Sequence, residues 1–194
     1  MRNIFFTTLT CLLVSCNQST PQSEANNTLP PPPQPLSEQN QTEHTHHRVP
    51  EEQTYLKLVH SGQTNQLGNP VFYLYLYHDS TVIQKLPTVS GRAYTQNRDR
   101  NISGNESPLP NGRYTVSHTP IPGSRYETGD VFLPIEPQFE TQRFALGFHY
   151  DPSYNRSNGE DGTAGCIGFI NKEDFNTFLD SIDTYQPTYL IVNI

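Results

Sequence analysis

Seven consecutive apolar or aromatic residues, Val71-Phe72-Tyr73-Leu74-Tyr75-Leu76-Tyr77, constrain the fold of this chain more than any other stretch. A run that is apolar at every position predicts a strand covered on both faces. His78-Asp79-Ser80 supplies turn chemistry, and Thr81–Leu86 returns, so the pair predicts a hairpin with a polar tip. That tip is the ordinary home for His78 and Asp79, which are not counted as catalytic.

The surrounding pattern extends this β reading. Tyr55–His60 precedes the hairpin as a first strand, and Thr188–Val192 reads as the last. Pro110-Asn111-Gly112 is a turn that opens a strand over Arg113–Ser117. Thr119–Glu140 is rich in Pro, Gly and charge, and is long for a structureless connection. Loops of that kind are often lids or binding loops, which predicts a place beside a substrate cleft. One helix stands out. Asn171 suits its N-cap, Glu173 and Asp174 suit its positive end, and Phe175, Phe178, Leu179 and Ile182 form one apolar face.

Chemistry concentrates between the loop and the helix. Phe144, Leu146 and Phe148 read as a buried strand ending at His149. Seventeen positions later Cys166 lies in the small-residue turn Gly162-Thr163-Ala164-Gly165-Cys166, and Ile167 and Phe169 then return to the core. Glycines around a cysteine let the backbone bend sharply and approach a ligand. An imidazole beside a thiol can activate it as a nucleophile. A buried structural cysteine with an unrelated histidine would fit the same spacing.

This segment resembles the active site of the L,D-transpeptidase catalytic domain family (YkuD-like). That family carries a His, a loop of about this length, and Ser/Thr-His-Gly-Cys followed by an apolar residue and Arg or Asn. The resemblance places the catalytic histidine on His149, the Ser/Thr on Thr163, the glycine on Gly165 and the nucleophile on Cys166. Ala164 stands where the family usually has His, and Gly168 where it usually has Arg or Asn. A looser match, Ser90-Gly91 followed by Ser107-Pro108 and Gly112-Arg113-Tyr114, precedes it in the right order. The resemblance implies a mostly-β fold, an L,D-transpeptidase-like β-sandwich with one helix after the catalytic cysteine. Tyr150, Tyr154 and Arg156 are placed to line such a site. Arg125 and Arg143 are candidate anchors for a substrate carboxylate, although surface solubility explains them equally well.

The N-terminal third has another character. Residues 1–15 carry Arg2 and an apolar run from Ile4 to Val14, the length of a secretory h-region rather than a membrane span. Leu13-Val14-Ser15-Cys16 resembles the bacterial lipobox, which implies lipidation of Cys16. An ordinary signal peptide is the alternative. Residues 16–53, with the proline run Pro30–Pro33, lack the apolar content to fold and read as a disordered tether. His44, His46 and His47 lie in that tether as a solvated polar run, with no ligand set around them to complete a metal site. The folded domain is then 54–194, a common single-domain size.

Cysteine usage sharpens the reading. Of Cys11, Cys16 and Cys166, the first leaves with the signal and the second is blocked by lipid. One thiol remains in an exported protein, where it has no internal partner for a disulfide. Removing the signal leaves eleven Lys and Arg against nineteen Asp and Glu, a net charge of −8. With no basic run, nucleic acid is disfavoured as a partner. The residues suggest neither a cofactor motif nor a metal site in the domain.

The expectation is a monomeric, exported, lipid-anchored cysteine enzyme of the cell envelope or periplasm, acting on peptidoglycan stem peptides. It would form a thioester acyl-enzyme at Cys166, with His149 as base and backbone N–H groups at Gly165 and Cys166 holding the oxyanion. An L,D-carboxypeptidase on the same scaffold is the alternative chemistry. A non-catalytic wall-binding lipoprotein is the alternative class.

Overall fold

The computed structural model describes residues 53–194; the expected signal peptide, the expected lipidation of Cys16 and nearly all of the expected tether fall on residues outside them. The hairpin forms as the sequence predicts. Strands β2 (Pro70–His78) and β3 (Thr81–Val89) are joined by Asp79 and Ser80, with φ of 47° and 66°. Two left-handed residues in a two-residue loop match the twist of antiparallel strands. β1 (Thr54–Thr64) pairs antiparallel with β2.

Strand β2 departs from its expected two-sided burial. Phe72, Leu74 and Leu76 are buried, while Tyr73, Tyr75 and Tyr77 are half-buried on the opposite face. Tyrosine carries an apolar body and a polar tip, so it can line a sheet face open to water. Tyr77, Tyr55 and Tyr189 stack across three strands at ring spacings of 4.8 and 5.3 Å. Lys85 lies 3.7 Å over the Tyr73 ring. An uninterrupted apolar run was therefore one core face plus an aromatic outer face.

The remaining strands are β4 (Gly112–Val116), β5 (Ile121–Pro122), β6 (Val131–Pro137), β7 (Leu146–Tyr150), β8 (Ile167–Phe169) and β9 (Tyr189–Asn193). With β1, β2 and β3 they form one nine-stranded sheet in the order β4-β9-β1-β2-β3-β8-β7-β6-β5. A further β4–β6 pairing, Tyr114 opposite Pro137 to Val116 opposite Ile135, closes the sheet on itself. Among the described residues the fold is mostly β with a single α-helix late in the chain, as expected.

Two segments differ from the sequence reading. The supposed loop Thr119–Glu140 contains β6, which pairs with β7 from Leu133 opposite Phe148 to Ile135 opposite Leu146. Pro134 disguised it, because proline cannot donate to a ladder. Here the Pro134 carbonyl still accepts from Ser117 N–H. Phe144 is 77% exposed and precedes β7; Ala145, at φ 52°, turns the chain before the strand begins.

Helix α1 (Lys172–Tyr185) starts where expected, with the Asn171 side chain accepting from Asp174 N–H. A cap of that kind contributes about 1 kcal/mol. Phe175, Phe178 and Ile182 are buried. Phe178 packs on Phe148 and Phe169 at ring spacings of 4.7 and 4.8 Å, so α1 fastens the core face of β7 and β8. Among the described residues no helix is long and apolar enough to cross a membrane.

Candidate active site

Two neighbouring strands place the histidine and the cysteine. β7 and β8 run parallel, with Phe148 opposite Ile167, His149 opposite Gly168 and Tyr150 opposite Phe169. Side chains alternate between faces. Phe148, Tyr150, Ile167 and Phe169 therefore share the face that α1 covers. His149 lies on the other, with Gly168 as its register partner and Cys166 two residues before that partner. Diagonal neighbours of this kind are within reach of long side chains.

His149 is 1% exposed, and its Nδ1 lies 2.9 Å from the Tyr150 carbonyl. A carbonyl only accepts, so Nδ1 carries the proton and Nε2 is the basic nitrogen. Burial pulls the imidazole below its usual value, against opposing pulls from the Tyr150 carbonyl and the Glu127 carboxylate. Phe132 stacks on the ring at 6.4 Å.

Cys166 is the free thiol of the described residues and is half-buried by surface area. Its sulfur lies 3.7 Å from the Ala145 carbonyl. Protein crowds the sulfur closely enough for burial to push the thiol up to about 11. The Gly147 N–H, Arg143 and Arg125 favour the thiolate, and Glu127 opposes it. At neutral pH the pair is a neutral thiol and a neutral imidazole. Alkylation of Cys166 by iodoacetamide is accordingly expected to quicken about tenfold per pH unit between pH 7 and 10, because only the thiolate reacts. A plateau near pH 7 would instead mean a stable thiolate–imidazolium pair; intact-mass rates decide.

Thr163 holds the cysteine turn. Its hydroxyl donates to the Cys166 carbonyl at 2.7 Å and accepts from Gly165 N–H at 3.1 Å and Gly91 N–H at 3.2 Å. Gly165 N–H, expected as an oxyanion donor, is thus directed at Thr163. Gly165 has φ of 117°, and a Cβ there would run into the Arg143 guanidinium. Gly168 is equally confined: a Cβ would lie 2.7 Å from the Thr163 methyl, 3.1 Å from Asp151 and 3.3 Å from Val89. The family's Arg or Asn does not fit at Gly168 without moving Thr163. Gly168→Asn should cost about 1–3 kcal/mol by overpacking, read as a lower denaturation midpoint; an unchanged midpoint would show that Thr163 yields freely.

The structure separates the expected lining residues. Tyr150 faces α1 and lines a cavity of about 370 Å³ with Tyr126, Val131, Lys172 and Phe175, away from the cysteine face. Tyr154 is half-buried on the Asp151–Asp161 loop and Arg156 is exposed on it; neither side chain hydrogen-bonds to the cysteine turn. Arg143 is buried at 7% exposure. Its Nη2 donates to the Ala164 carbonyl at 2.8 Å, and its Nη1 to Ser107 Oγ at 3.0 Å and to the Ser107 and Arg100 carbonyls. Its donors serve protein oxygens rather than an open cleft.

Three further residues organise the site and were not singled out from the sequence. Asp151 is 1% exposed and accepts from Ser153 N–H and Gly162 N–H; burial raises its carboxyl to about 6. Its position two residues after His149, on the same face of an extended segment, was the available signal. Arg92 is 3% exposed and donates to the Glu160 and Gly162 carbonyls and to the Glu127 and Glu160 carboxylates. Glu127, on the Thr119–Asp130 loop, accepts from Ala164 N–H at 2.6 Å. Neither Arg92 nor Glu127 carries a sequence signal, because the hydrogen bonds that tie each to the cysteine turn and to one another span 35 to 70 positions.

No curated protein matches the chain in sequence. Among solved structures, the helical cell shape determining protein Pgp2 from Campylobacter jejuni is similar over 73% of this chain and 48% of that one, at 15% identity and a TM-score of 0.49. This chain therefore spans about half of that protein's length. The family model of the L,D-transpeptidase catalytic domain, YkuD, matches residues 67–190, which include β2 to β8, α1, His149 and Cys166. The chain belongs to the L,D-transpeptidase catalytic domain family.

Proposed function

We propose that this protein is a cysteine-dependent acyltransferase acting on peptidoglycan stem peptides. The observation that carries the reading is a lone thiol in a braced glycine turn, on the same sheet face as a histidine whose Nδ1 is fixed by the Tyr150 carbonyl. His149 Nε2 takes the Cys166 proton as sulfur attacks the carbonyl of the L-centre in an L,D peptide bond. The carbonyl π bond opens onto oxygen, and Cys166 N–H donates to that oxyanion. Collapse expels the leaving amine, which receives the proton from His149, and leaves a thioester on Cys166. An acceptor amine then attacks the thioester to form a cross-link, and the thiol is regenerated. Because the resting pair is neutral, deprotonation accompanies attack rather than preceding it.

The export signal, lipidation at Cys16 and the 16–53 tether complete the proposal. They would hold a monomeric domain within reach of the wall from a membrane of the bacterial envelope. Intact-mass analysis of the purified full chain with tetrapeptide muropeptides tests the reading. A transient adduct at Cys166 with a cross-linked product is expected, and His149→Ala should slow adduct formation about 10²–10⁴-fold. An adduct with only trimmed peptide would make the protein an L,D-carboxypeptidase. Neither adduct nor product, with sacculus binding intact, would leave a wall-tethering lipoprotein.

A further inference from the structure

Glu127 is an odd neighbour for a nucleophilic thiol. Its carboxylate accepts from Ala164 N–H, two residues before Cys166, and from Arg92 Nη2 at 3.3 Å. A fixed negative charge there opposes the thiolate. It does not belong to the sheet: it is carried by the Thr119–Asp130 loop, in a 3-10 turn at Tyr126–Thr128 whose Tyr126 is 78% exposed.

The cation of the cradle it occupies is held in place by groups other than Glu127, the Glu160 carboxylate at 3.1 Å among them. Arg92 is almost wholly buried at the end of β3, with its guanidinium braced by the carbonyls of Glu160 and Gly162. Its Nε is buried without a hydrogen-bond partner; the nearest carboxylate, Glu106, is 3.8 Å away. Arg92 Nη2 and the Ala164 N–H converge on one Glu127 oxygen, and a guanidinium paired with a backbone N–H in this way is a carboxylate site. The two carboxylates on Arg92 Nη2 are themselves open to solvent, Glu127 at 21% and Glu160 at 58% side-chain exposure.

We infer that Arg92 and the Ala164 N–H form a subsite for a carboxylate of the stem peptide, and that Glu127 fills this subsite until substrate displaces it. The inference rests on the acyltransferase reading only for the identity of the ligand. Exchange of one carboxylate for another conserves the local charge and both hydrogen bonds. It also moves Glu127 off the thiol when substrate arrives. A tethered competitor that holds the cradle nine-tenths of the time weakens apparent affinity about tenfold.

The test uses protection of Cys166 from iodoacetamide in the full chain, with N-acetyl-D-alanine as the carboxylate probe and N-acetyl-D-alaninamide as its neutral twin. In Glu127→Ala, half-protection by N-acetyl-D-alanine should come at a concentration about tenfold lower than in the unmodified protein. The amide should show no such gain. Arg92→Lys in the Glu127→Ala background should reverse most of it, because one ammonium cannot reproduce the guanidinium fork. If Glu127→Ala does not fold, Glu127→Gln carries the comparison, losing the charge while keeping an acceptor for Ala164. Equal protection by acid and amide, or no change on removing Glu127, overturns the subsite. Because protection needs no turnover, a variant that discriminates the acid yet forms no acyl-enzyme would overturn the function and keep the subsite. Turnover without discrimination would do the reverse.

Discussion

Cys166→Ser is expected to abolish acyl-enzyme formation, lowering turnover of tetrapeptide muropeptides by about 10³-fold or more. The substitution changes one atom, and the surroundings of that atom explain the size of the effect. Burial already pushes the thiol up to about 11, and a hydroxyl is a far weaker acid. His149 is itself pulled below its usual basicity by burial, so it is a poor base for an alcohol. The carboxylates around the site are already engaged: Glu127 accepts from Ala164 N–H and Arg92, and Asp151 from Ser153 and Gly162 N–H. The fold should tolerate the change within about 1 kcal/mol, since the sulfur's hydrogen-bonding contact is a long 3.7 Å approach to the Ala145 carbonyl. Intact mass and a thermal melt on the same sample separate chemistry from folding. Product formation by a well-folded serine variant would place the nucleophile elsewhere.

The parts of this protein legible in sequence were those fixed by local physics. The Asp79-Ser80 hairpin, the Asn171 cap and the apolar face of α1 depend on residues a few positions apart, and each formed where expected. β6 was hidden because Pro134 breaks the local pattern, while the pairing that closes the sheet, Tyr114 to Val116, joins residues 19 to 23 positions apart. The outer face of β2 was misread for a related reason. Tyr73, Tyr75 and Tyr77 count as apolar in a run, yet their hydroxyls let that face meet water.

The candidate site divides the same way. His149 and Cys166 were visible because a strand ending in histidine and a cysteine among turn glycines are themselves local signals. Tyr150 was assigned to the cleft by adjacency, but strand alternation sends residue 150 to the opposite face from 149. Arg92, Ser107 and Glu127 act through contacts 36 to 70 positions away, across loops that no periodicity describes.

Arg143 shows how far that long-range bracing goes, and Arg143→Met is expected to destabilise the domain by about 2–4 kcal/mol, a fall of about 10 °C in Tm. Its guanidinium ties together three segments: the Arg100 carbonyl, both oxygens of Ser107, and the Ala164 carbonyl inside the cysteine turn. A buried acceptor left unpaired costs about 1–3 kcal/mol. Methionine recovers part of this by filling the volume and by removing the cost of holding a charge inside, which already pulls the guanidinium down. Gly165 makes the contact specific, because its missing side chain is what lets the guanidinium lie against the turn. Arg143→Lys should recover less than half of the lost stability, since one ammonium cannot reach Ser107 and Ala164 together. A loosened turn also misplaces Cys166, so the rate of acyl-enzyme formation should fall along with Tm. A residue that merely bound a substrate carboxylate would give the opposite pattern: Tm unchanged, KM raised and kcat preserved. Melts and steady-state kinetics on Arg143→Met and Arg143→Lys together decide between a brace and an anchor.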